Sequence, residues 1–272
     1  MLTQHPRHPG SLSILHPLLY RPNTGQAYAA FVADHVWNPA SLGQVAASAL
    51  EARTLELRLE QAVHRLDSLE EVGFHPLVAA GLADAGFGVF REVPYPGEPA
   101  RRPRHTERLR CDLVLTPSHD IGLRDPVAEL LSRDDASGTL FAPLAESLSV
   151  SPGIEPRDAF WMEIKLIGQF CYTAGVPGPN RTYASELLRL AAGDIPKLAA
   201  DRLIHHAALL VILFTADRAT ADHDLAAFVH RGLDHDLPIS TPSMFRFAID
   251  DVIGNSLCTV CVVPVRQDPD RS

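Results

Sequence analysis

"AFWMEIKLIGQF", residues 159–170, is an apolar run with two charges inside it, Glu163 and Lys165. Read as a strand, its side chains alternate between two faces. Phe160, Met162, Ile164 and Leu166 make one face, wholly apolar and fit to pack on helices. Trp161, Glu163, Lys165 and Ile167 make the other. Charges flanked by Trp and Ile do not form a solvated rim, and ions buried there need partners. The lysine is unusual for a second reason. Of the 24 Lys and Arg residues all but Lys165 and Lys197 are arginine. An ordinary salt bridge suits arginine as well or better, so the position calls for a compact ammonium.

Working outward from this strand, "RCDLVLTP" reads as a second strand before it and "FGVFREVPYP" as a third, closed by prolines. "AALLVILF" and "LCTVCVVPV" read as two later strands. Apolar residues at three- and four-residue spacing predict a helix from Ser41 to about Leu69. Asp67 or Ser68 is the expected cap of a following helix with Glu70 and Glu71 in its first turn, ended by Gly86. "TYASELLRLAAG" is helical, and "DIPKLAADRLIHH" restarts a helix with Asp194 as N-cap and Pro196 in the first turn. "ADHDLAAFVHRGL" is another. Residues 118–158, rich in Asp, Ser, Pro and Gly, read as an insert with one short helix near "DPVAELLSR". The expected architecture is α/β: a central mixed β-sheet flanked by helices, with an N-terminal helical extension.

Bulk properties narrow the class. Apolar content of 46% and charged content of 21% fit a globular protein with ample core. A net charge of −9 excludes a globally basic nucleic-acid binder. The local exception is "RRPRHTERLR", residues 101–110, with five arginines. The start, "MLTQHPRHPGSLSILHPLLYRPNTG", is broken by prolines and reads as an arm and not a signal peptide. No stretch is long and apolar enough to span a bilayer, so no membrane role and a cytoplasmic home are expected. Cys258 and Cys261 have zinc-like spacing. In a strand, however, positions i and i+3 face opposite ways, which predicts buried thiols instead.

Asp112 stands mid-strand beside Leu113, Val114 and Leu115, an awkward place for a lone carboxylate. An Asp followed by Glu-x-Lys on a neighbouring strand is what a phosphodiester-cutting metal site requires. The carboxylates supply hard oxygen ligands for Mg²⁺, with Mn²⁺ as a substitute. A lysine two residues beyond the Glu, on the same face, orients water or holds phosphate. Beside a metal, Lys165 is expected to lean towards the neutral amine.

In these residues the chain resembles the PD-(D/E)xK nuclease superfamily, which has the restriction-endonuclease-like fold. Asp112 in "RCDLVL" and Glu163 and Lys165 in "WMEIKL" carry the resemblance; the helix with Glu70 and Glu71, the "REVPYP" strand and the "GDIPKL" helix agree in order. Cys111 replaces the family's proline before the Asp, and the insert replaces a short hairpin. The resemblance implies a domain over residues 65–265, preceded by an arm and long helix (1–64) and followed by a tail (266–272). It implies a Mg²⁺-dependent endonuclease acting on DNA. Asp112 and Glu163 would bind the metal, the Ile164 carbonyl would be a third ligand, and Lys165 would position the attacking water. A glutamate from the first helix would complete the site, with Glu71 preferred to Glu70. Arg101, Arg102 and Arg104 are expected to contact phosphates. Gln169 lies near the site or is a loop residue; Lys197 faces phosphate or pairs with Asp194 or Asp201. The long helix serves a homodimer or its own core. The alternative function is a catalytically silent nuclease-fold protein that binds nucleic acid or a protein partner.

Overall fold

The computed structural model describes residues 37–97, 109–126, 128–129 and 153–267, the side chains of 190–192 excepted. From Trp37 onward the chain forms one compact unit. Its elements, in order, are helix α1 (Pro39–Leu59), helix α2 (Glu71–Asp84), strands β1 (Gly88–Pro94), β2 (Arg110–Thr116), β3 (Phe160–Gly168), β4 (Phe170–Thr173) and β5 (Val176–Pro179), helix α3 (Tyr183–Ala200), strand β6 (His206–Thr215), helix α4 (Arg218–Asp234), and strands β7 (Ser243–Ala248) and β8 (Leu257–Val265). Six strands form a mixed sheet in the order β1-β2-β3-β6-β8-β7, and β4 and β5 form a separate hairpin. Only β3 and β6 run parallel; the other pairs are antiparallel.

The alternation expected of residues 160–167 sorts the two cores. Phe160, Met162 and Ile164 join Leu42, Leu50, Phe74 and Leu82 of α1 and α2. Trp161 and Ile167 join Leu187, Ile195 and Leu198 of α3 and Leu225 and Phe228 of α4 on the opposite side. Cys258 and Cys261 are free, buried thiols divided between these cores, as the i, i+3 argument requires.

Several elements differ from expectation. Asn38 caps α1 by accepting from Ser41 N–H at 3.2 Å, and Pro39 takes the first helical position. The helix stops ten residues earlier than predicted, because Gln61 turns left-handed (φ 52°) and Ala62 N–H closes on Leu57 C=O at 3.0 Å. Its buried face, with Leu42, Ala46 and Leu50, packs on the sheet's own core, so α1 belongs to the domain and is not an extension of it. That leaves Leu55 and Leu59 as its large exposed apolar residues. Asp67 does not cap α2; its carboxylate accepts from Asn255 at 2.9 Å, and Glu70 is the N-cap without a side-chain bond. Gly86 ends α2 as expected, at φ 99°.

Helix α3 runs unbroken through Asp194 and Pro196, where two helices were expected. Proline removes one backbone bond at a cost of about 3 kcal/mol. Seating Leu187, Ile195 and Leu198 on the sheet holds both halves in line. Strand β7 was not expected, nor was the β4–β5 hairpin. Ala174 and Gly175 turn the hairpin with both φ angles positive, at 52° and 81°, the two-residue connection that matches strand twist. Asn255, fully buried, clamps it to the sheet by accepting from Phe170 N–H and donating to Phe170 C=O, both at 3.1 Å. Within the insert, Asp125 caps a helical turn by accepting from Ala128 N–H at 3.1 Å; 130–152 lie outside the described residues. Among the described residues no helix is long and apolar enough to cross a membrane.

Candidate functional site

The site grows out of a failure of strand pairing. On one side β3 pairs with β6 along its whole length, from Phe160–His206 to Gly168–Phe214. On the other side its ladder with β2 lasts three residue pairs and ends at Leu113–Met162. Beyond that point the edge of β3 needs new partners, because buried backbone N–H groups are almost never left unpaired. Two carboxylates supply them. Asp112 Oδ2 accepts from Ile164 N–H at 2.7 Å, and Glu71 Oε2 accepts from Leu166 N–H at 3.1 Å. In an extended strand a residue's N–H and C=O point the same way, so the Ile164 carbonyl faces the same notch.

Beside Asp112 in this notch is Glu163, only 3% exposed. Tyr95 donates its hydroxyl to Glu163 Oε1 at 2.6 Å, with its ring stacked on Trp161 at 6.0 Å. Burial, and then the negative charge of Asp112, push the Glu163 carboxyl up to about 8, against the opposing pull of the Tyr95 hydrogen bond. The two carboxyls stand close enough for a shared hydrogen bond.

Two residues on, Lys165 Nζ lies 3.3 Å from both Glu71 Oε1 and Asp194 Oδ2. Burial works to lower its pKa, but the charges of Asp194, Glu71 and Asp112 outweigh it and hold the ammonium above the ordinary lysine range. Without a metal, Lys165 is thus held as a cation; the lean towards a neutral amine belongs to the metal-bound site. Asp194 is likewise subject to burial, which favours its neutral form, yet Lys197 and Lys165 keep it below the usual carboxylate range. Lys197 Nζ makes its bond to Asp194 at 2.5 Å, one of the alternatives expected of it.

Five predicted residues thus meet: Glu71, Asp112, Glu163, Ile164 through its backbone, and Lys165, with Lys197 one carboxylate away. Glu71 and not Glu70 enters the group. Gln169 takes a different place. Its side-chain oxygen accepts from Ala216 N–H at 2.9 Å, tying the end of β3 to the end of β6. Arg101, Arg102 and Arg104 lie outside the described residues.

Sequence reasoning gave Tyr95 and His75 no role in the site, and gave Asp194 only those of a helix N-cap and a candidate partner of Lys197. Tyr95 and Asp194 carry no periodic signal towards Glu163 and Lys165. His75 had one, its four-residue spacing from Glu71 on a shared helical face. Its imidazole is buried beside Asp112, with Nε2 3.9 Å from Oδ2.

The donors available to a metal in the notch are therefore the Asp112 and Glu163 carboxylates and the Ile164 carbonyl, an all-oxygen set suited to a hard divalent ion. The group as described holds more carboxylates than lysines, and a cation would relieve the crowding of Asp112 against Glu163. No protein-family model matches the chain, and no curated protein or solved structure matches it either.

Proposed function

We propose that this chain is a Mg²⁺-dependent nuclease of the restriction-endonuclease-like fold that hydrolyses phosphodiester bonds in DNA. The observation that carries the reading is the meeting of Asp112 and Glu163 in the gap between β2 and β3, with Lys165 on the same face. Asp112, Glu163 and the Ile164 carbonyl would hold the ion. When bound, Mg²⁺ (or Mn²⁺) supplies a Lewis acid for a phosphoryl oxygen and lowers the pKa of a water.

The chain's own residues do the rest. Lys165, kept protonated by Glu71 and Asp194, offers a fixed positive charge to a non-bridging phosphate oxygen or to the attacking water. Tyr95 fixes the Glu163 carboxyl by its hydroxyl, so one oxygen of that side chain is oriented before an ion arrives. Asp112, tied to Ile164 N–H, is held in the same way. Both acids are pre-positioned, and site geometry held this tightly needs little reorganisation during reaction.

A second reading is a silent nuclease-fold protein that binds nucleic acid or a protein partner. It is favoured by one observation: Asp112, Glu163 and Glu71 each already have a protein donor. The deciding experiment incubates the purified chain with plasmid and single-stranded DNA, with Mg²⁺, with Mn²⁺ and with chelator. The nuclease reading expects metal-dependent cleavage that Asp112→Asn and Glu163→Gln both abolish. No cleavage under any condition, with DNA binding retained, selects the silent scaffold.

A further inference from the structure

The strongest unexplained group lies on the other side of Asp112. His75 follows Glu71 by one turn of α2, and its side chain is only 6% exposed. Neither of its ring nitrogens has a hydrogen-bond partner. A buried imidazole with two idle nitrogens is uncommon, since buried polar atoms are nearly always paired. Each nitrogen faces a carboxylate across a gap too wide for a direct bond. Nδ1 is 3.8 Å from Glu92 Oε1, and Nε2 is 3.9 Å from Asp112 Oδ2.

The backbone at Glu92 is the second observation. Strand β1 pairs with β2 at Arg91–Leu113 and again at Val93–Cys111, but the intervening Glu92–Asp112 pair is missing. Glu92 is left-handed there, at φ 53°. A residue with a Cβ adopts that conformation at a cost, and such positions gather where a side chain must be aimed. Arg110 fixes the distortion by donating to the Glu92 carbonyl at 2.6 Å. The sheet gives up a ladder pair at the level where Glu92, His75 and Asp112 converge, with one donor atom of each within 4.8 Å of the others.

We propose that His75, Glu92 and Asp112 bind a divalent transition-metal ion. The donor chemistry sets the class. One imidazole and two carboxylates suit Zn²⁺, Co²⁺ or Mn²⁺, whereas Mg²⁺ and Ca²⁺ prefer oxygen alone. Two donors on one such ion, each at about 2.1 Å, stand about 3–4 Å apart, close to the gaps His75 presents. Glu92, the most exposed of the three at 52%, has room to close the remainder. This site shares Asp112 with the notch but uses neither Glu163 nor Lys165. The inference does not rest on the nuclease reading.

The test uses the full chain, freed of metal by chelator and dialysed, then titrated with Co²⁺ and followed by visible absorption. Zn²⁺ binding is measured in parallel by equilibrium dialysis with elemental analysis. The readout is the difference between wild type and Glu92→Gln, so ions held elsewhere on the chain cancel. Wild type is expected to bind one ion per chain that Glu92→Gln and His75→Asn bind at least about tenfold more weakly, as loss of a ligand requires. Glu163→Gln is expected to keep that ion. His75 is buried, so its variant is first checked for folding by circular dichroism; Glu92 is exposed, and its variant alone suffices if the other fails. Equal binding by wild type and Glu92→Gln overturns the proposal. So does loss of the ion in Glu163→Gln with retention in Glu92→Gln, which would place it in the notch.

Discussion

Strands β6 and β8 are joined by nine consecutive residue pairs, from Ala207–Val265 to Thr215–Leu257. Almost every side chain along β6 is buried and apolar. Strands β2 and β3 are joined by three pairs. Where the third pair ends, carboxylates take over the backbone groups that a neighbouring strand would have satisfied. The two junctions belong to one sheet, yet one spends its polar groups on itself and the other leaves them for side chains. Chemistry collects where the ladder stops, because only there can acids enter the sheet without displacing a strand.

This contrast is tested most severely at Lys165. If the reaction needs a compact ammonium at this point and not charge alone, Lys165→Ala and Lys165→Arg both lose cleavage by about 10³-fold, as removal of a transition-state donor does. Their stabilities should separate. Lys165→Ala takes one of two lysines from the buried Asp194 and is expected to cost about 1–3 kcal/mol, while arginine, able to reach two carboxylates, stays near wild type in thermal melting. An arginine variant that cleaves normally would show that the notch asks only for charge.

The closed junction answers the opposite way. Leu210, on β6, is fully buried in the core shared with α1 and α2. Leu210→Ala is expected to destabilise by about 2–5 kcal/mol through the cavity it leaves. Cleavage per folded molecule should be unchanged below the new Tm. Denaturant melts with a parallel cleavage assay check both halves. A large rate loss with little loss of stability would mean that the two junctions are coupled.

Glu163 sharpens the comparison through pH. Its carboxyl is pushed from 4.5 to about 8 in the folded chain, by burial first and then by the charge of Asp112. Between those values the folded state keeps a proton that the unfolded chain has lost. Stability therefore falls as pH rises through that window, and nothing is lost below it. The expected result in chelator is a Tm that declines from pH 5 to 8 in wild type and declines less in Glu163→Gln. Added Mg²⁺ should restore most of the difference at pH 8. Identical pH profiles for the two proteins would mean that Glu163 is ionised without assistance.

What the sequence made legible follows the same division. The apolar alternation of β3 and the unbroken run of β6 are local patterns, and both read correctly as strands, β3 with its two faces as well. The cap at Gly86 and the separation of Cys258 from Cys261 are local as well. Strand β7 was hidden because "SMFRFA" carries Arg246, which finds Asp222 of α4 only in the folded chain. The hairpin was hidden by Pro177 and Pro179, and the continuity of α3 by Pro196, whose propensity is overruled by packing. In the notch, Asp112, Glu163 and Lys165 were legible because charges inside apolar strands demand a reason. Tyr95 and Asp194 were not, since their bonds to Glu163 and Lys165 join separate elements and leave no mark at either end. His75 was visible on the face of Glu71, but nothing local says that both its nitrogens lack partners.

The smallest expected effect bears most directly on the idea that acids replace the missing ladder. Glu71 does two things: one oxygen accepts from Leu166 N–H at 3.1 Å and the other faces Lys165 at 3.3 Å. Glutamine keeps the length and one acceptor but removes the charge. Alanine removes both and leaves Leu166 N–H on the open edge of β3. If Glu71 stands in for a strand, Glu71→Ala should lose about 1–1.5 kcal/mol while Glu71→Gln loses less than about half of that. Hydrogen exchange at Leu166 supplies the local readout, faster in the alanine variant and nearly native in the glutamine one. If alanine leaves both stability and exchange untouched, the Leu166 amide has another acceptor. The β2–β3 junction would then be open without being repaired by side chains, and the argument tying the acids to the gap in the sheet would rest on Asp112 alone.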